Sequence, residues 1–545
     1  MRTFKHILAI LACIVFSQSG QAVQIRRVPG THVPESVLPT DRDRLATQAV
    51  SYTSYTKGAA AGSYAKTDVP RTGTHTFLVV LVDFTDRKFA LKDTETLIRR
   101  YDRTLNLKGY ADSVAYTHQG SVFCPTPGSV SDYFTDQSYG LYVPKFKVIG
   151  PLHLSNGYAY YGADENGKDK NTDYIMKEIC DQLMACDTID LEAYVGNNSL
   201  TQIYYIYAGP GQNYDDSDTR NIWPHSNSYT YSYTSGRNTK YMNFIYACTC
   251  ELFWNSTYIP DGIGVFCHEF AHTLGLPDFY STDFDNDAAM GYWSLMDYGN
   301  YENGDFSPVG LTAFEKYSLG WLDPEEITSP GTYTLNDISR TPDPESGIHT
   351  AYRLSTANSN RFVLLENHVK SGWYGHHASQ GLMATVVNYS SSRWISNTVN
   401  DKRPYGFSIL PADNDFTRDS NSGDLYPYNG RDSITPFSQP ALIVDRTRPH
   451  YSVYSIQNNQ GIVSFIASRD VPTSVTSPQD RTVTITVSQG ACQISAPVGT
   501  SVSVHEISGK PIMQTRTTQP TQSIQLPAPG IWIIKCGNIT RKVRL

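Results

Sequence analysis

The sequence predicts a multidomain protein in which a mixed α/β domain is followed by β-sandwich domains. Its 545 residues exceed one ordinary domain. A hydrophobic content of 40% with 38 Tyr is enough to fill several folded cores. Between about residues 75 and 325, apolar runs alternate with stretches of helical spacing; from Glu325 onward short alternating runs with turns between them take over.

The first 22 residues read as an export signal. Arg2 and Lys5 supply positive charge, Ile7 to Phe16 form an apolar run too short to span a membrane, and Gly20-Gln21-Ala22 offers small residues for cleavage before Val23. Leu11-Ala12-Cys13 permits a lipoprotein reading, against which the apolar core ahead of the cysteine is short. Residues 23–74 are rich in Ser, Thr, Ala, Gly and charge, as in a pro-segment. It holds no cysteine, so a thiolate latch is excluded; Asp41, Asp43 and Asp68 are the acidic candidates, and a solvated linker is the ordinary alternative.

Residues 75–325 are expected to form the α/β domain. Thr76–Phe84 reads as a buried strand, Thr94–Leu105 and Thr172–Met184 as helices, and Gln202–Tyr207 as a strand. A helix is expected from Asp261, a plausible N-cap, and another over Leu311–Leu319.

The helix after Asp261 carries the most informative residues. In His268-Glu269-Phe270-Ala271-His272 the two histidines stand four apart, so one helix face presents both imidazoles to a single ion. Gly275 can take the positive φ that ends the helix, Pro277 cannot continue it, and the turn lets Asp278 return as a third ligand. Three protein ligands with an open fourth position describe catalytic zinc, which lowers the pKa of water to about 7. Glu269, beside the metal without binding it, is the expected general base. Downstream, Ser294-Leu295-Met296-Asp297-Tyr298-Gly299 resembles the Met-turn of the metzincin clan, in which Met296 would floor the site and Tyr298 would approach metal or oxyanion.

Landmarks on both sides extend the resemblance. They are Thr76–Phe84, Gly128-Ser129-Val130-Ser131-Asp132-Tyr133-Phe134, Ser138-Tyr139-Gly140, Ile222-Trp223-Pro224-His225 and Phe314-Glu315-Lys316-Tyr317-Ser318-Leu319-Gly320-Trp321. With them the chain resembles the immune inhibitor A family of secreted bacterial metallopeptidases, whose third ligand is an aspartate. The resemblance implies a metzincin-like fold, zinc held by His268, His272 and Asp278, Glu269 and Tyr298 as catalytic residues, and protein or peptide substrates.

Other polar residues have weaker claims. Acid-rich loops at Asp215–Asp218, Asp283–Asp287 and Asp413–Asp415 suit calcium, with exposed turns as the ordinary alternative. His225 is expected to be structural, and His376-His377 to lie on a surface loop.

A β-sandwich is expected over 326–470, from runs such as Tyr333–Leu335, Phe362–Glu366, Met383–Val387, Ala441–Val444 and Ile462–Ile466. Residues 471–545 form a last module with strands at Thr482–Val487, Ser501–Glu506, Ser523–Leu526 and Ile531–Cys536. Its ending, Pro529–Lys535 then Arg541–Leu545, resembles the C-terminal sorting domain of the type IX secretion system of Bacteroidetes. That implies secretion and sorting machinery as a partner and a secreted or cell-surface destination, with a generic terminal sandwich as the alternative.

Without Cys13 eight cysteines remain, an even number that suggests disulfides in an exported chain; Cys492 with Cys536 is the best single guess, and Cys267 is expected to be packed or bonded. A net charge of −8 and a pI near 6.0 give no basic footprint for nucleic acid or an anionic membrane. The function expected is a zinc-dependent endopeptidase of extracellular proteins. A catalytically inert surface adhesin and a zinc amidase or esterase acting on small substrates are the competing expectations.

Overall fold

The computed structural model describes residues 69–545 apart from 108–115, 119–120, 124–125, 166–167, 187–190, 192–200, 216–217, 255–258, 283–288, 417–421, 470–482, 489–490, 527–529, 538 and 545. The signal and most of the pro-segment with Asp41, Asp43 and Asp68, the Asp283–Asp287 loop and Cys124 lie outside the described residues. Two compact units are present, one ending at Ser468 and one over Arg469–Leu545.

The first unit is built on a five-stranded sheet. Its members are β1 (Gly73–Asp83), β2 (Tyr142–His153), β3 (Thr201–Pro210), β4 (Ser226–Ser235) and β5 (Asn238–Leu252), in the order β2-β1-β3-β5-β4. All neighbours are parallel except the β4–β5 hairpin. Helices cover both faces, which is why β1 reads as an unbroken apolar run. Phe77, Val79 and Leu81 pack on one side, in a core shared with α1 (Thr94–Asn106), α2 (Val130–Gln137) and α4 (Gly264–Thr273). Leu78, Val80 and Val82 pack on the other with α3 (Thr172–Met184). The tyrosine-rich β4–β5 hairpin and the long β2 had no counterpart in the sequence reading.

Helix α4 starts later than Asp261 suggests. The Asp261 carboxylate is occupied by the Tyr214 hydroxyl at 2.5 Å and the Thr249 hydroxyl at 3.0 Å. The buried first-turn amide of Val265 donates instead to Asp305 Oδ1 at 2.6 Å, so the helix cap arrives from a residue distant in sequence. Gly264 opens the helix because a Cβ there would stand 1.9 Å from the Asn300 carbonyl oxygen. At the other end Gly275 takes φ +99°, as its place after the helix predicts.

Residues beyond 325 form two further sheets. Glu325–Glu326, β7 (Ala351–Ser355), β8 (Arg361–His368), β9 (Gly381–Asn388) and β10 (Phe407–Ile409) make one; β6 (Gly331–Leu335), β12 (Ile462–Ser468) and β11 (Ser452–Asn459) make the other. Strand β8 divides its side chains by alternation. Val363 and Leu365 face the second sheet, whereas Phe362 and Leu364 join the core of α4 and of α5 (Ala313–Leu319). One apolar core thus runs from the five-stranded sheet to β8–β10.

Two expectations fail here. Ala441–Val444 is not a strand: it lies between Pro440 and the left-handed residues Asp445 and Arg446, and only Val444 makes an isolated bridge. His376 is exposed, but His377 is buried, its ring 4.5 Å from that of Trp293 and 5.1 Å from that of His368. A Trp at one loop and a His on β8 build a pocket that local spacing does not disclose.

The second unit is a small sandwich of sheets β13-β14-β17 and β16-β15-β18-β19. The strands are β13 (Thr484–Ser488), β14 (Ala491–Ser495), β15 (Ser501–Glu506), β16 (Pro511–Arg516), β17 (Thr521–Gln525), β18 (Ile531–Cys536) and β19 (Ile539–Arg544). Cys492 and Cys536 come from opposite sheets into its core but are not joined by a disulfide, nor is any of Cys180, Cys186, Cys248, Cys250 and Cys267 in one. The expected pair is therefore packed rather than bonded; each sulfur serves as a small apolar side chain.

Candidate metal centre

Helix α4 carries His268 and His272 on one face, with ring centroids 4.7 Å apart and planes at 85°. Asp278 returns to them after the Gly275 turn. Its Oδ1 lies 3.2 Å from His268 Nε2 and 3.1 Å from His272 Nε2. Among the described residues this is the one group of three His, Cys, Asp or Glu side chains whose ligand atoms converge, all within 4.8 Å.

The hydrogen bonds behind the ligands define which atoms face the centre. His268 Nδ1 donates to the Leu295 carbonyl at 2.9 Å, and His272 Nδ1 donates to the Leu276 carbonyl at 2.8 Å. A carbonyl can only accept, so both protons sit on Nδ1 and both Nε2 lone pairs point inward. Asp278 Oδ1 is buried and accepts no hydrogen bond. Three lone pairs aimed at one point with no proton between them fit a divalent cation, and two nitrogens with one oxygen fit zinc.

Asp278 is fixed on its other side by Asn397. The Asn397 amide nitrogen donates to Asp278 Oδ2 at 2.6 Å, and the Asp278 amide donates to Asn397 Oδ1 at 2.7 Å. Burial pushes the Asp278 pKa up, but when the two imidazoles carry a proton on Nε2 as well, their charge and hydrogen bonds outweigh burial and hold the carboxyl well below its ordinary value; a bound cation would take the place of those protons. For neighbouring Glu269 burial dominates, so its carboxyl is raised despite the same imidazoles.

Glu269, His272, Asp278 and Tyr280 line a cleft of about 480 Å³, together with Trp223, His225, Trp394, Ile395 and Asn397. A larger cavity of about 660 Å³, lined by Met290, Arg403 and Tyr405 among others, contains none of the ligand residues. His225 borders the cleft with both ring nitrogens engaged: Nδ1 donates to the Trp223 carbonyl at 2.7 Å and Nε2 meets the Tyr246 hydroxyl at 3.1 Å. These partners suit the structural role expected of it.

Met296 is fully buried, and its carbonyl accepts from the Phe279 amide at 2.7 Å, tying the turn to the residue after Asp278. Tyr298 does not reach the cleft. Its ring stacks at 6.4 Å on Tyr280, which in turn lies 6.4 Å from the His268 ring. Tyr280 is thus the tyrosine beside the ligands; its place two residues after Asp278 was the available signal. Asn397, which touches Asp278, and Trp394, which touches Gly275, gave none, each standing more than a hundred residues from that partner.

Two carboxylates of the other acid-rich loops have local partners. Asp218 pairs with Arg220 at 2.8 Å, and Asp413 Oδ1 accepts from the Asp415 amide at 2.9 Å.

Two histidines and an aspartate around one point, with a buried glutamate at a cleft, form the site of a metal-dependent hydrolase. Residues 64–216 and 203–325 match the family described as immune inhibitor A peptidase M6, catalytic domain. The chain is also similar to the Pre-pro-metalloprotease PrtV of Vibrio cholerae serotype O1, in two strains. The identity is 25% over 301 residues, covering 48% of this chain and 32% of the relative. The chain therefore spans about a third of the length of the curated relatives it matches. Together, site and similarity support a metallopeptidase.

Proposed function

We propose that the protein is an exported zinc endopeptidase that hydrolyses peptide bonds of extracellular proteins. The observation that carries this is the convergence of His268 Nε2, His272 Nε2 and Asp278 Oδ1, with Glu269 at the same cleft. Bound zinc supplies a Lewis acid that polarises the scissile carbonyl and acidifies water. The chain's own residues do the rest. His268 and His272 offer neutral Nε2 donors held by the Leu295 and Leu276 carbonyls. Glu269 takes the proton of the attacking water and returns it to the leaving amine; its raised pKa brings that exchange closer to neutrality. Tyr280, whose buried hydroxyl lies beside the Asp278 carboxylate, would donate toward the developing oxyanion. Tyr298 supports it by stacking.

Export and a pro-segment are part of this reading. The relative is named a pre-pro-metalloprotease, and no helix among the described residues is long and apolar enough to cross a membrane. The type IX-like address and calcium at the Asp283 loop remain proposals from sequence. The test is cleavage of unfolded casein by pro-segment-processed protein beside Glu269→Ala, with zinc measured in both. Similar zinc with turnover lost in the variant supports the mechanism. An active Glu269→Ala removes it, and zinc without cleavage in the parent favours the adhesin.

A further inference from the structure

We infer that Asn397, well outside the matched catalytic region, is a positioning residue for the metal centre. It selects which oxygen of Asp278 faces the ion. The inference rests on the zinc reading above and deepens it.

Asp278 sits in a loop, and a loop carboxylate is free to rotate or to bind through both oxygens. Here the choice is made by a side-chain amide. Asn397 Nδ2 occupies Oδ2 at 2.6 Å and leaves Oδ1 facing the two Nε2 atoms. Asn397 Oδ1 takes the Asp278 backbone amide at 2.7 Å, so both the main chain and the side chain of the ligand are held by one residue. The residue type matters because only an amide both donates and accepts in this way. Its backbone is left-handed, φ +56°, a conformation that asparagine adopts more readily than most residues.

Asn397 is itself held by a clamp. It follows α6 (Ser391–Ile395), and residues 394–401 run beside 275–282. Trp394 Nε1 donates to the Gly275 carbonyl at 3.1 Å. Asn400 Nδ2 donates to the Phe279 carbonyl at 2.7 Å, while its Oδ1 accepts from the Gly406 and Phe407 amides. Asp401 Oδ1 accepts from the Thr282 amide at 2.7 Å. The segment carrying the third ligand is thus gripped on both sides of Asp278 by residues beyond 325.

The experiment measures zinc affinity of the full, metal-stripped chain by competition with a fluorescent chelator. Asn397→Asp is nearly isosteric and keeps the acceptor for the Asp278 amide, but it sets a carboxylate oxygen against Oδ2 where the donor stood; Asn397→Gly keeps the left-handed backbone and loses both bonds. Each is expected to weaken zinc 10- to 100-fold, as loss of a partner behind a ligand does, with the melting temperature of the metal-free protein unchanged. In an Asp278→Ala background the same substitutions should cost nothing further, since Asn397 acts through Asp278. Unchanged zinc affinity in both variants overturns the inference. So does a loss of equal size in the Asp278→Ala background, or one that only tracks a fall in metal-free stability. A parent chain that binds no zinc removes the underlying reading, and this inference with it.

Discussion

Glu315 Oε1 accepts the Met296 backbone amide at 3.3 Å and the Ser294 hydroxyl at 2.7 Å, while its Oε2 takes the Thr312 amide at 2.6 Å and hydroxyl at 2.7 Å. One fully buried carboxylate therefore closes the capping box of α5 and holds the turn through Ser294 and Met296. Burial raises its pKa, and the four donors oppose that.

Glu315→Ala leaves the Ser294 hydroxyl and the Thr312 amide and hydroxyl buried without this acceptor, while the Met296 amide keeps Ser294 Oγ at 3.1 Å. At about 1–3 kcal/mol for an unsatisfied group, partly relieved by rearrangement, the loss should be about 3 kcal/mol. Urea unfolding of the larger unit checks it, and a change below about 1 kcal/mol would show that the turn holds itself. Because the Leu295 carbonyl orients His268, zinc should bind less tightly in this variant as well.

Zinc removal should destabilise the larger unit. A ligand present at 1,000 times its Kd and bound only by the folded state stabilises by about 4 kcal/mol. Adding a chelator should therefore lower the melting temperature and readdition of zinc restore it, in parallel with cleavage. A melting temperature indifferent to both treatments would be incompatible with the site as described.

Ile395 is a large apolar side chain left 64% exposed, and it lines the cleft. Exposed apolar surface beside a site suits a substrate side chain. Ile395→Asp should raise KM for casein severalfold with zinc content and kcat little changed; an unaltered KM would remove this residue from substrate binding.

The convergence of His268, His272 and Asp278 was legible because a helix fixes i and i+4 on one face and because glycine and proline mark where the helix ends. Those rules are local, and so were the successes: α1, α3, β1 and the turn at Gly275 all appear where apolar spacing or turn chemistry put them. What spacing could not give was anything set by distant residues. Asp305 caps α4 in place of Asp261, Trp293 buries His377, and Asn397 holds Asp278. Tyr280 replaced Tyr298 at the cleft for the same reason, since which tyrosine faces inward depends on how the turn folds back.

Lys316 provides the pH prediction. Its ammonium is fully buried, 4.3 Å above the Tyr139 ring, and its Nζ has no hydrogen-bond partner. Burial lowers its pKa to about 7, against the opposing pull of Glu366, Asp337, Asp136 and Glu315. The unfolded chain keeps that proton to about pH 10.4. Between these values the unfolded state binds more protons than the folded one, so stability from this group rises with pH. Below about pH 7 both states are protonated and the full cost of the buried charge is present. Lys316→Met removes the charge and nearly preserves the volume. The variant should exceed the parent in unfolding free energy at pH 6.5, and the gap should shrink steadily toward pH 9.5 as the folded parent sheds its proton. A gap that stays constant across that range would mean that Lys316 is charged throughout and that the Tyr139 face and the nearby carboxylates compensate its burial.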